Sequence, residues 1–113
     1  MKLALTLACA LTLAGCSAWG PKEQRAFAFS AACHTVDLMQ TDWALEHGFV
    51  EKNPALGESP SDNKLIAHKA AVMVATWGIA EQFTGDDRWK AIALATLPCL
   101  IAVGHNYSEG ARP

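Results

Sequence analysis

Residues 48–63, GFVEKNPALGESPSDN, decide how the chain divides, because two glycines, two prolines, two asparagines and two serines crowd into one short stretch. Such a run cannot continue a helix and reads as a loop. On its N-terminal side, Lys22 to His47 carries no breaker, with Gly20-Pro21 in front and Gly48 behind. Proline is tolerated in a first helical turn and glycine is the natural residue just past a helix end, so this is one long helix. On the C-terminal side, Ser59-Pro60-Ser61-Asp62 opens a second helix that runs to about Phe83 and is stopped by Thr84-Gly85. Asp86 or Asp87 then caps a third, from Arg88 to about Tyr107, with a kink expected at Pro98. The fold class expected is all-α, a three-helix up-down-up bundle.

Ahead of these helices stands MKLALTLACALTLAGC, residues 1–16. Lys2 is a short positive region, Leu3 to Leu13 an apolar core, and small residues close it. The ending Leu13-Ala14-Gly15-Cys16 resembles the lipobox of bacterial lipoprotein signals. That resemblance implies removal of residues 1–15, acylation of Cys16 by palmitate-type chains, and a single three-helix domain over residues 16–113. The apolar stretch is too short to span a hydrocarbon core, which needs about 20 residues. Ser17 after the cysteine implies sorting to the outer membrane, facing the periplasm. The membrane, reached through Cys16, is then the first expected partner.

The 113 residues hold 9 Lys+Arg against 11 Asp+Glu, a net charge of -2 with both signs scattered. No basic run exists to favour nucleic acid. Of the 4 cysteines, Cys9 leaves with the signal and Cys16 is acylated, so Cys33 and Cys99 remain in an oxidising setting. Both lie about 17 Å up parallel helices at 1.5 Å per residue, so they can form a disulfide. Free cysteine is equally at home in a helical core, and that alternative stays open.

Two architectures fit the apolar helices. Ala91 to Gly104 and Ala70 to Ala80 fall short of the usual spanning length. Yet Trp89 and Tyr107 bracket the third helix about 27 Å apart, close to a hydrocarbon thickness. A bilayer-embedded bundle and a periplasmic one with apolar inner helices are both consistent with the pattern.

The middle of the chain holds Asp37-x3-Thr41, Gly48-x2-Glu51-x-Asn53-Pro54, Gly57 and then a lysine-bearing apolar helix. This resembles a family of small bacterial membrane proteins of unknown function that share D-x3-T…G-x2-E-x-N-P. The chain departs from that pattern in its lipobox and in Ala55 after Asn53-Pro54. Bundle geometry brings the same residues to one end: Asp37 stands about 22 Å up the first helix, level with His68 and Lys69, and Thr41 is level with His105 and Asn106. Asp37, Thr41, Glu51, Asn53, Lys69 and His105 are therefore the candidate polar site.

Along the first helix Ser30, His34, Asp37 and Thr41 share one stripe, while Phe29, Val36, Met39 and Trp43 take the other side. A buried polar stripe costs roughly 1–3 kcal/mol for each group left without a partner, so a polar network across the helices is expected.

A metal site on His34, Asp37, His68 and His105 is a rival reading, but no two histidines stand at ligand spacing, so no metal and no cofactor is expected. No nucleophile elbow or phosphate loop appears, and the neighbours Cys33 and His34 point about 100° apart on a helix. Trp19, Trp43, Trp77 and Trp89 read as core or interface anchors more readily than as a ligand groove. The expectation is a lipid-anchored, non-catalytic envelope protein that packs against the membrane or against another envelope protein. The alternatives are a small membrane-embedded enzyme or metal-binding protein built on the Asp37 end, and an exclusion or immunity lipoprotein of a phage or mobile element.

Overall fold

The computed structural model describes residues 19–111. Three helices occupy them: α1 (Pro21–Glu46), α2 (Asp62–Ala80) and α3 (Gly85–Ser108). The chain is an all-α three-helix bundle, and among the described residues there is no strand. The expected signal over residues 1–15 and the acylation residue Cys16 lie outside the described residues.

Local chemistry sets each boundary. Pro21 occupies the first turn of α1, and at the other end Gly48 adopts φ 86. There its N–H bonds Leu45 O at 3.3 Å while that of Phe49 bonds Ala44 O at 3.0 Å, the two crossed bonds of a Schellman cap. α3 stops the same way, with Gly110 at φ 92, its N–H on Tyr107 O at 3.1 Å and that of Ala111 on Asn106 O at 2.9 Å. Ser61 caps α2 by accepting from the Lys64 N–H at 3.3 Å.

Two boundaries differ from expectation. α2 ends at Ala80, three residues before Phe83, and the Ala80 carbonyl accepts from both the Phe83 N–H and Arg88 Nε, each at 3.1 Å. α3 begins at Gly85 and not at Arg88. Gly85 takes φ 55, a left-handed turn that glycine enters without steric cost, so the reversal is complete early. Asp86 and Asp87 consequently lie inside the first turn, where the helix dipole favours acids, instead of capping it. α3 is continuous through Pro98.

α1 and α3 share the most extensive seam, and α2 packs against both. One apolar cluster, Trp19, Phe27, Ala31, Met73, Ala80 and Ile92, closes the end where α2 turns into α3. Trp19 meets Phe27 edge-on at 5.4 Å, donates through Nε1 to Glu81 at 2.7 Å and carries the Arg88 guanidinium 5.5 Å from its ring. Toward the opposite end Leu38, Leu56 and Leu65 form a second cluster that pins the long loop.

Between these clusters the usual distribution is reversed. Ser30, His34, Asp37, Gln40, Thr76 and Thr96 are buried, while Phe29, Val36, Met39, Val74, Leu94 and Ile101 are exposed, Leu94 at 72% and Ile101 at 65%. Buried threonines are satisfied within their own helices: Thr76 donates to Val72 O at 2.9 Å and Thr96 to Ile92 O at 2.7 Å. Among the described residues α3 alone is long and apolar enough to cross a membrane, and only 17% of its most apolar stretch is buried in the bundle.

Phe27 is wholly buried at the centre of the first cluster. Phe27→Ala should cost about 3–5 kcal/mol, read as a lowered unfolding midpoint, and an unchanged midpoint would mean this cluster is not a core.

Candidate functional site

The polar stripe of α1 faces inward, and its centre is the Asp37 carboxylate. Lys69 of α2 donates to Asp37 Oδ2 as an ion pair whose side chains are only 16% and 12% exposed. From α3, Asn106 Nδ2 donates to Asp37 Oδ1 at 2.9 Å. The same amide approaches Gln40 Oε1 at 3.4 Å, and Gln40 Nε2 in turn donates to Val103 O at 3.3 Å. One carboxylate thereby joins all three helices, with both oxygens occupied. The Schellman cap of α3 runs through the Asn106 carbonyl, so the helix end and the side chain that reaches Asp37 are held by the same residue.

Of the six residues expected at this end, only Asp37 and Lys69 pair side chain to side chain. Thr41 donates to Asp37 O of its own helix at 2.9 Å, a local bond that leaves its hydroxyl out of the carboxylate network. Glu51 and Asn53 shape the loop: Glu51 Oε1 accepts from the Asn53 N–H at 2.9 Å, Asn53 Oδ1 from the Ala55 N–H at 3.0 Å, and the Glu51 N–H reaches Glu58 O at 2.9 Å. His105 is exposed. Thr41, Glu51 and His105 do share a cleft of about 330 Å³ with Gln40 and Asn106, walled on its apolar side by Leu45, Phe49 and Val50. Asn106 and Gln40 were not anticipated, although the level of Asn106 was.

His34 lies one turn deeper than Asp37. It is 7% exposed, and neither ring nitrogen has a hydrogen-bond partner. Asp37, Lys69 and His68 all act on it electrostatically. Deeper still, Cys33 of α1 and Cys99 of α3 are buried free thiols. The pairing that sequence leaves open between them is absent from the structure, where no disulfide joins them. The alternative metal set does not assemble: among the described residues no three His, Cys, Asp or Glu side chains converge as ligands.

Tryptophans mark the two ends. Trp43 stacks on His47 with centroids 4.0 Å apart and tilts toward Phe49 at 6.4 Å. At the opposite end Trp89 Nε1 donates to Asp86 Oδ1 at 3.2 Å, beside the exposed Lys22–Asp86 pair at 3.5 Å.

Comparison with protein-family models, with curated proteins and with solved structures finds no match for this chain.

Removing the Asp37 carboxylate strands a largely buried ammonium. Asp37→Ala should therefore cost about 3–5 kcal/mol, whereas Thr41→Val, which loses only a bond within one helix, should stay within about 1 kcal/mol. Denaturant unfolding of both variants checks this; equal costs would place the two residues in one network after all.

Proposed function

We propose that this chain is a small bacterial cell-envelope protein, held by acyl chains on Cys16 and by a bundle seated in the bilayer, with α3 as its spanning helix and α1 and α2 alongside. The observation that carries the reading is the reversed distribution of polarity. Across residues 26–41, 65–80 and 91–108, the only charged side chains are Asp37 and Lys69, and they are turned inward and paired. Apolar side chains of all three helices look outward at the same levels. Water would penalise that surface at roughly 25 cal/mol per Å², whereas acyl chains accept it. Inside a bilayer a polar interior holds helices together where a hydrophobic one supplies no driving force.

Dimensions support the same reading. The longest axis measures 44 Å, near the 40–45 Å of a bilayer with its headgroup regions. Aromatic residues sit toward both ends, Trp89 at one, Trp43 and Tyr107 at the other, as interfacial anchors do.

The role proposed is non-catalytic: a structural or interaction protein whose partner is the membrane and, through an exposed helix face, another envelope protein. The occupied oxygens of Asp37 favour a brace between helices over a free general base. No nucleic acid, metal or cofactor enters this reading.

Two measurements test it. Cys16→Ala should abolish palmitate labelling and signal processing, and normal maturation of that variant would remove the lipid anchor from the account. Cys16→Ser, exported behind a different signal, should remain in the membrane pellet after carbonate treatment because the helices are embedded. Release into the supernatant would mean that lipid alone holds the protein.

A further inference from the structure

The cleft at the loop end and the buried His34 belong to one polar file. Gln40 and Asn106 line the cleft, Asn106 hydrogen-bonds Asp37, Lys69 pairs with Asp37, and His34 follows one turn below on α1. Ser30 is the next inward residue of that stripe, and its hydroxyl contacts only the Met73 sulfur, at 4.0 Å. Beyond it lies the apolar cluster of Phe27, Ala31 and Ile92. The file is therefore open at one end, polar for about 15 Å along α1 from Gln40 to Ser30, and shut by apolar packing at the other.

An imidazole with both nitrogens buried and unbonded is costly, roughly 1–3 kcal/mol for each polar group. Such groups in native interiors signal a further partner, most often water or a small hydrogen-bonding ligand. The charged or titratable groups that act on His34 are Lys69 and His68 from α2 and Asp37 on the same helix. A neutral imidazole carries a proton on one nitrogen and a lone pair on the other, so it can release one proton and accept another.

We propose that the interior of the bundle is a water-reached half-channel, entered at the cleft beside Gln40 and Asn106 and closed beyond Ser30, with His34 as its terminal proton-exchanging group. The step involved is proton exchange alone: one ring nitrogen releases its proton to a file water while the other accepts one, and no electrons move. The inference deepens the view of the polar core as more than filler. It does not depend on where the protein resides, so failure of membrane embedding would leave it standing.

Deuterium exchange at the imidazoles of the full chain, reconstituted in lipid nanodiscs with ¹⁵N-histidine, tests it directly. The chain has 4 histidines, and the exposed His47, which does not line the cleft, serves as the internal reference for free exchange. Transfer into D2O should replace the His34 ring proton nearly as fast as that of His47. Ala44→Leu fills the cleft mouth one turn from Gln40, and should slow exchange at His34 several-fold while leaving His47 unchanged. A His34 ring proton that persists as long as the core backbone N–H groups of α1 would overturn the half-channel. Fast exchange unaffected by Ala44→Leu would overturn the cleft as its entrance.

Discussion

The carboxylate of Asp37 meets a different helix with each oxygen, Lys69 of α2 at one and Asn106 of α3 at the other. The bundle is arranged so that this charge need not face its surroundings alone. Moving an isolated carboxylate or ammonium into a low-dielectric interior is prohibitive, so each holds the other in place, and the Asn106 amide takes the remaining acceptor. Because the three donors and acceptors come from three elements, the pair fixes the relative height of the helices as well as their contact. A one-residue slide of α3 would move Asn106 by about 1.5 Å along the axis and swing it away by about 100°.

The rest of the interior follows from that constraint. Apolar clusters sit at the two ends, one beneath Trp19 and one beneath the long loop, while the region between is lined by Ser30, His34, Gln40, Thr76 and Thr96. Threonines in this zone spend their hydroxyls on their own helices, which makes them nearly apolar to their neighbours. The outward faces bear valine, leucine, isoleucine and phenylalanine at the same levels. Dispersion between closely fitted helices and the interhelical hydrogen bonds at Asp37 add cohesion in this zone beyond the burial of apolar surface at the two ends.

Much of this is legible in the residue order, and the parts that are not share one physical origin. Helical rise converts sequence number into height, and it brings Asp37 level with Lys69 and Thr41 level with Asn106 from the 1.5 Å step alone. Height does not give the direction in which a side chain points. His105 and Asn106 are neighbours about 100° apart, and it is Asn106 that faces α1 while His105 looks outward. Glu51 and Asn53 mislead for another reason: acidic and amide side chains in a Gly- and Pro-rich loop satisfy backbone N–H groups within reach before they can serve a distant partner. The glycine caps behaved more simply, since Gly48 stands where a helix of that length must end. Gly110 plays the same part for α3, and its position after Tyr107-Ser108-Glu109 carries the signal that would have located Asn106 in the cap.

A double-mutant cycle between Asp37 and Lys69 addresses the central claim most directly. Unfolding free energies of the wild type, Asp37→Asn, Lys69→Met and the double variant, measured under one set of conditions, give their coupling without any assumption about either residue alone. If the carboxylate joins the helices as described, the double variant will be more stable than the two single costs predict, by about 1–3 kcal/mol. Costs that add to within about 0.5 kcal/mol would show that the two charges do not depend on each other, and the bundle would have to be held by something else.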